Sequence, residues 1–192
     1  MTLENKTIGF AITGSFCTIP DALHQLSLLA ETGADVIPIL SFAVNTTDTR
    51  FGTAASIREA VTAATGKEPV TTIPGAEPIG PKKLLDAILV CPCTGNTIAK
   101  IANGITDTPV TMAVKAHLRN KRPVVLAVST NDGLSANAQN IGRLLNTRGI
   151  YFVPFGQDDA LHKNTSLVAN NTLAIQTLMA ALDGEQLQPL LV

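Results

Sequence analysis

The run Ile88-Leu89-Val90 has no polar residue to turn toward water, and a strand of that kind belongs in a sheet covered on both faces. The residues after it narrow the possibilities further. From Leu89 to Asp107 (LVCPCTGNTIAKIANGITD) the chain passes through Pro92, expected to end the strand, to Thr94, Gly95 and Asn96, and then to Ile98, Ile101 and Ala102 at helical spacing. This is a strand, a short polar loop and a helix in one piece. A hydroxyl, a bare backbone position and an amide stand where the first N–H groups of a helix have no intrahelical partner. Such a junction either receives a small anion or a flat polar ring, or does no more than cap the helix through Thr94 or Asn96.

The same arrangement recurs along the chain. Thr7–Ile12 (TIGFAI) reads as a first strand; the turn Thr13-Gly14-Ser15-Phe16-Cys17-Thr18 comes next, and Pro20 opens a helix through Leu23, Leu26, Leu28 and Leu29. Gly14 lets backbone approach a ligand and Ser15 adds a hydroxyl, although a tight turn without a ligand would use the same residues. Gly33 closes that helix, and Asp35–Leu40 (DVIPIL) forms a second strand with Ser41 at its carboxyl end. Pro123–Val128 (PVVLAV) is another buried strand, followed by Ser129-Thr130-Asn131-Asp132-Gly133. Helices are expected over about 54–64, from Thr108-Pro109 to Asn120, over about 136–146 and over about 166–182, with a last short strand at Ile150–Pro154; Thr71–Lys83, dense in Pro and Gly, reads as an irregular connection. Alternating strands and helices with small polar loops after the strands imply an α/β fold: a three-layer αβα, Rossmann-like, doubly wound parallel sheet. The ligand is expected at its carboxyl edge, where strand order reverses.

With 192 residues, one domain spanning 1–192 is expected. Net charge is -1, from 14 basic and 15 acidic residues, which leaves no electrostatic footprint for nucleic acid or an anionic membrane surface. The expected partner is a small molecule or another protein. Hydrophobic residues make up 45% and charged ones only 15%, so the surface is poor in charge and a homo-oligomer is expected. MTLENKTIGF lacks the form of a signal peptide and no apolar run is long enough for a bilayer, so a cytoplasmic protein is expected. Three cysteines give no disulfide framework, and Cys91-Pro92-Cys93 has no second pair to complete a zinc site, so small buried side chains and no metal are expected. Cys17, in a loop, is the one to test for reactivity.

The G-x-G-x-x-G fingerprint and the Walker lysine motif are both absent. His24, His117 and His162 lie far apart with no paired nucleophile, so no hydrolytic triad is indicated, and Asp158-Asp159, adjacent in a loop, are expected to diverge into solvent. The polar segment Asn45–Gly52 (NTTDTRFG) carries one cation, Arg50, suited either to a substrate carboxylate or to a surface salt bridge.

Gly14-Ser15 after the first strand, Ser41 after the second, and above all Cys91–Asp107 resemble the FMN-binding flavoproteins, the superfamily of homo-oligomeric flavin-containing decarboxylases and flavin prenyltransferases. Asn45–Gly52, Arg119–Asp132 (RNKRPVVLAVSTND), Pro154–Asp159 (PFGQDD) and Gln186–Val192 (QLQPLLV) extend the likeness from end to end. The resemblance implies FMN at the carboxyl edge of the sheet, often between protomers of a trimer or larger shell. It implies that Gly14, Ser15, Ser41 and Ser129 face the phosphate, that Thr94, Gly95, Asn96 and Thr97 face the ribityl chain and ring, and that Phe16, Thr130 and Asn131 complete the cofactor site.

The departures from that family are specific. Its decarboxylases carry a proline-x-methionine-asparagine motif and a catalytic histidine; here the corresponding stretch is Val128-Ser129-Thr130-Asn131-Asp132, and only the asparagine remains. Its prenyltransferases place an arginine on the phosphate near the position of Ser129. The branch resembled most implies instead a role in making dipicolinic acid, a spore calcium chelator, from a dihydrodipicolinate-level precursor in the mother-cell cytoplasm. That role implies a dicarboxylate substrate and a partner chain with a nicotinamide-binding pattern, through which alone NAD(P) would enter. Three roles are compatible with this: an FMN-binding oxidoreductase subunit, a non-catalytic flavin-fold scaffold for the partner, and, least supported, an independent FMN-dependent decarboxylase. Arg50 is the substrate candidate, and no residue stands out as the base.

Overall fold

The computed structural model describes residues 3–192. Its first five strands are parallel: β1 (Thr7–Ile12), β2 (Asp35–Leu40), β3 (Ala87–Cys93), β4 (Val124–Thr130) and β5 (Ile150–Phe152). They lie in the order β2-β1-β3-β4-β5, so the winding reverses between β1 and β3. Parallel strands need a crossover, and a right-handed crossover in each direction puts helices on both faces. α1 (Ile19–Glu31) leads to β2, and after it come α2 (Phe42–Thr46), α3 (Ala54–Thr65) and α4 (Ile73–Ala76). α5 (Gly95–Ala102) and α6 (Pro109–Leu118) connect β3 to β4, α7 (Ala138–Leu145) leads to β5, and α8 (Ala174–Leu182) packs against α1, β3 and β4. The strands are apolar on both faces because both are covered; Phe10, Ile8, Ile12, Ile88, Leu89 and Phe152 are among the fully buried side chains of a continuous core.

Three expectations are corrected. β3 does not end before Pro92 but runs through it to Cys93, with a register shift against β4 between Val90 and Cys93. The irregularity falls where proline cannot donate to a ladder, so the strand absorbs Pro92 rather than stopping at it. The sheet is not wholly parallel: Leu167–Ala169, expected as the start of a helix, is a strand antiparallel to the end of β4, with Ser129 opposite Val168 and Thr130 opposite Leu167. It is β7, and β6 (Phe155–Gly156) pairs with it; the C-terminal helix itself starts only at Ala174. The connection 71–83 contains α4 and a 3-10 turn at Glu77–Ile79, begun by the Thr72 cap and the fixed φ of Pro74 and Pro78. The bounds of β1 and β2 are those read from the sequence.

Candidate flavin site at the sheet switch point

Thr13 follows β1 and is buried. Its hydroxyl donates to the Pro92 carbonyl at 2.7 Å and accepts from the Thr94 N–H at 3.0 Å, tying together the ends of the two strands between which the winding reverses. Thr94 then caps α5: its Oγ1 accepts from the Thr97 N–H at 3.3 Å, and the Thr94 and Thr97 hydroxyls share a hydrogen bond of 3.0 Å. The capping role expected of Thr94 is therefore present, and Asn96 is left exposed on the first turn.

The loop after β1 reaches across to β4. Ser15 Oγ lies 2.7 Å from Ser129 Oγ, although the two are 114 positions apart, and Thr18 Oγ1 lies 3.3 Å from the same oxygen. Ser41 caps α2, its hydroxyl accepting from the Val44 N–H at 3.4 Å, and its own N–H donates to the Ile12 carbonyl at 3.0 Å. A Cβ on Gly14 would lie 3.3 Å from the Ala43 side chain, so the Gly14 loop rests on the start of α2 beside Ser41. Phe16 is half-buried and packs against the core. Gly14, Ser15, Phe16, Ser41, Thr94, Asn96, Thr97 and Ser129 are thus carried on neighbouring loops at one edge of the sheet.

Gly95 and Thr130 have another task. A Cβ on Gly95 would lie 2.5 Å from Asn137 Nδ2 and 2.8 Å from Asp132 Oδ1, and closer still to Thr130 Oγ1. These atoms form a polar knot: Thr130 donates to Asp132, and Asn137 donates to both carboxylate oxygens at 3.0 and 2.9 Å. The Thr130 hydroxyl above all, with Asn137, holds the Asp132 carboxyl below the usual range against the opposing effect of burial. Glycine at position 95 is required by the knot behind it. The Asn131 carbonyl accepts from Thr165 Oγ1 at 2.7 Å. Arg50 is exposed, has no ion pair among the described residues, and stacks 4.8 Å over the Phe51 ring, so the salt-bridge alternative is not the one seen.

Thr13, Thr18 and the pair Asp132–Asn137 are site residues that sequence reasoning missed. Thr13 stands directly after an apolar run, the signal that marked Ser41 and Ser129. The cysteines divide by burial. Cys91 and Cys93 are buried, burial pushing the first thiol up to about 12 and the second higher still, while Cys17 is exposed. Among the described residues no cluster of three His, Cys, Asp or Glu is arranged to hold a metal, and no helix is long and apolar enough to cross a membrane.

A mostly parallel, doubly wound sheet with helices on both faces and hydroxyl-bearing loops at its switch point defines a Rossmann-like α/β protein. The family is more particular: residues 1–178 match the model described as Flavoprotein, and the chain belongs to that family. It is 48% identical over 191 residues to the dipicolinate synthase B subunit of Bacillus subtilis (strain 168), covering 100% of this chain and 96% of that one. The crystal structure of the dipicolinate synthase B subunit from Bacillus halodurans C superposes with a TM-score of 0.92 at 45% identity, covering 100% and 98% of the two chains. The FMN binding protein AtHal3, with a TM-score of 0.66 at 16% identity over 96% and 100%, shares the fold.

Proposed function

We propose that this chain is the FMN-binding subunit of a dipicolinate synthase, contributing to oxidation of a dihydrodipicolinate-level precursor to dipicolinic acid together with the A subunit. The observation that carries the reading is the Ser15–Ser129 contact, with Thr18 beside it, at the point where the winding of the sheet reverses. These hydroxyls satisfy one another, and a rotation about each Cα–Cβ bond turns them onto phosphate oxygens instead. A phosphate ester gripped by hydroxyls and backbone N–H groups needs no dedicated lysine in the loop, so the residues present fit the group.

Aromatising a dihydropyridine removes a hydride and a proton; a bound flavin supplies a two-electron acceptor. In this reading Ser15, Ser41 and Ser129 hold the phosphate end, and Asn96 and Thr97 border the ribityl chain and ring. Arg50, stacked on Phe51 and without an ion pair among the described residues, is the proposed grip for a substrate carboxylate. The cradle contains hydroxyls and amides, with its one carboxylate, Asp132, locked in the knot. That favours a division of labour in which the A subunit brings NAD(P), and it is also the observation behind the second reading, a flavin-fold scaffold without chemistry of its own. Assembly into a homo-oligomer and a place in the mother-cell cytoplasm belong to the same proposal.

The test is a titration of the purified chain with FMN, followed by turnover of the dihydropyridine dicarboxylate with and without the A subunit. Saturable FMN binding, with turnover that needs both chains and falls when flavin is stripped, is expected. Turnover by the pair at full rate with no flavin bound would leave the scaffold reading in its place.

A further inference from the structure

Residues 13–18, 41–46, 94–97 and 129–133, the loops that form the cradle, contain no lysine, arginine or histidine, and their one charged side chain is the Asp132 carboxylate. Both ligands of the proposed function are anions. An anion taken from water into an uncharged pocket gives up hydration that neutral donors replace only in part.

A cation reaches this edge from elsewhere. Because β7 pairs with the end of β4, the hairpin between β6 and β7 rises directly beside Ser129. Its base is pinned: Thr165 Oγ1 donates to the Asn131 carbonyl at 2.7 Å, the Leu134 N–H donates to the Thr165 carbonyl at 2.9 Å, and Gln157 Nε2 donates to the Asn164 carbonyl at 2.8 Å. The hairpin carries two ion pairs, Lys163 Nζ to Asp158 Oδ2 at 3.1 Å and His162 Nδ1 to Asp159 Oδ1 at 3.0 Å. With Asp159 taken by His162, Asp158 is the single ion-pair partner of Lys163 among the described residues. The lysine side chain is half-exposed, so this pair contributes little and is readily exchanged. Lys163 stands two positions before Thr165, the residue bonded to Asn131, and Asn131 lies two positions beyond Ser129, so the hairpin carries this lysine at the same edge of the sheet as the cradle hydroxyls.

We infer that Lys163 is the cation of an anion subsite on the Ser15–Ser129 hydroxyls, reached when its ammonium leaves Asp158 for an anionic oxygen group lodged there. That group is the flavin phosphate or a substrate carboxylate, and the inference rests on the flavin reading above. Asp158 acts as a placeholder for the ligand's charge, so the two residues oppose each other: removing the lysine weakens anion binding, and removing the aspartate frees the lysine and strengthens it.

The experiment measures binding of FMN, riboflavin and pyridine-2,6-dicarboxylate to the full chain as wild type, Lys163→Gln, Lys163→Arg and Asp158→Asn. If the anion is the phosphate, Lys163→Gln weakens FMN by about tenfold and leaves riboflavin unchanged. If it is the carboxylate, the same variant weakens pyridine-2,6-dicarboxylate on the flavin-loaded protein and spares both flavins. In either case Lys163→Arg stays near wild type, Asp158→Asn binds several-fold tighter, and the differences shrink as salt is raised. Unchanged binding of all three probes in Lys163→Gln overturns the inference, as does equal weakening of FMN and riboflavin, which would give the hairpin a purely structural role. Wild type that binds neither flavin removes the flavin reading and this subsite together; wild type and Lys163→Gln with equal affinities remove the subsite alone.

Discussion

Gly95→Ala sets two effects of opposite sign against each other. Alanine in the first turn of α5 restricts the unfolded chain and contributes about 0.5–1 kcal/mol of stability. Against this, the new Cβ meets Asn137 Nδ2 at 2.5 Å and Asp132 Oδ1 at 2.8 Å, where ordinary contact begins at 3.4 Å. The knot must therefore retreat by roughly 0.6–0.9 Å in a well-packed region. Asn137 is buried and bonded to both carboxylate oxygens, so it has no flexible end to swing away. Overpacking of this kind is destabilising by about 1–3 kcal/mol, and a strained hydrogen bond to an ionised carboxylate adds about 1.5 kcal/mol. The clash wins: a net loss of about 1.5–4 kcal/mol is expected, which lowers Tm by roughly 3–16 °C in a domain of this size. Urea unfolding followed by circular dichroism measures it. Gly142→Ala is the matched control, since a Cβ there meets nothing within 4 Å inside α7, and it should gain up to about 1 kcal/mol. A Gly95→Ala protein as stable as wild type, or shifted in the same direction as Gly142→Ala, would refute the account of the knot.

Other outcomes are expected from the same geometry. Ser15→Ala combined with Ser129→Ala should lose FMN affinity by at least tenfold, at about 1 kcal/mol or more per charge-assisted hydrogen bond, read by flavin fluorescence quenching. His117 is fully buried on α6 with neither ring nitrogen well bonded; burial lowers it to about 4, the Arg122 charge adding to this and the Pro123 carbonyl and Asp86 opposing it. Its folded value lies below the unfolded 6.5, so the unfolded chain binds the extra proton and stability falls as pH drops through that window; wild type should lose about 3 kcal/mol relative to His117→Leu between pH 7 and pH 4 in urea titrations. A neutral-pH thiol reagent should modify one cysteine, Cys17, in the native chain and all three after unfolding, counted by mass spectrometry.

The parallel half of the sheet was legible because TIGFAI and DVIPIL are strands buried on both faces, whose apolar runs have no other use in a short segment. β7 was hidden because Leu167, Val168 and Ala169 run into Leu173, Ala174 and Leu178 without a proline or glycine between them, and three residues are too few to display a period of two. Pro92 misled because proline normally marks a strand end; the slipped register that accommodates it is a property of the β3–β4 pair and is invisible in either strand alone. The site divided in the same way. Strand-end hydroxyls such as Ser41 and Ser129 announced themselves by position, but the purpose of Gly95 depends on Asp132 and Asn137, some forty residues on, and cannot be read locally. Asp158 and Asp159 do diverge, each taking its own basic partner. Nothing in their spacing told which residue each would find.

A crystal structure of the chain grown with FMN tests the central claim most directly. The phosphate should rest between the Ser15 and Ser129 hydroxyls, with the 2.7 Å contact between them opened to admit it and the ring toward Asn96. Ordered FMN whose phosphate lies elsewhere, with Ser15 still bonded to Ser129, would contradict it.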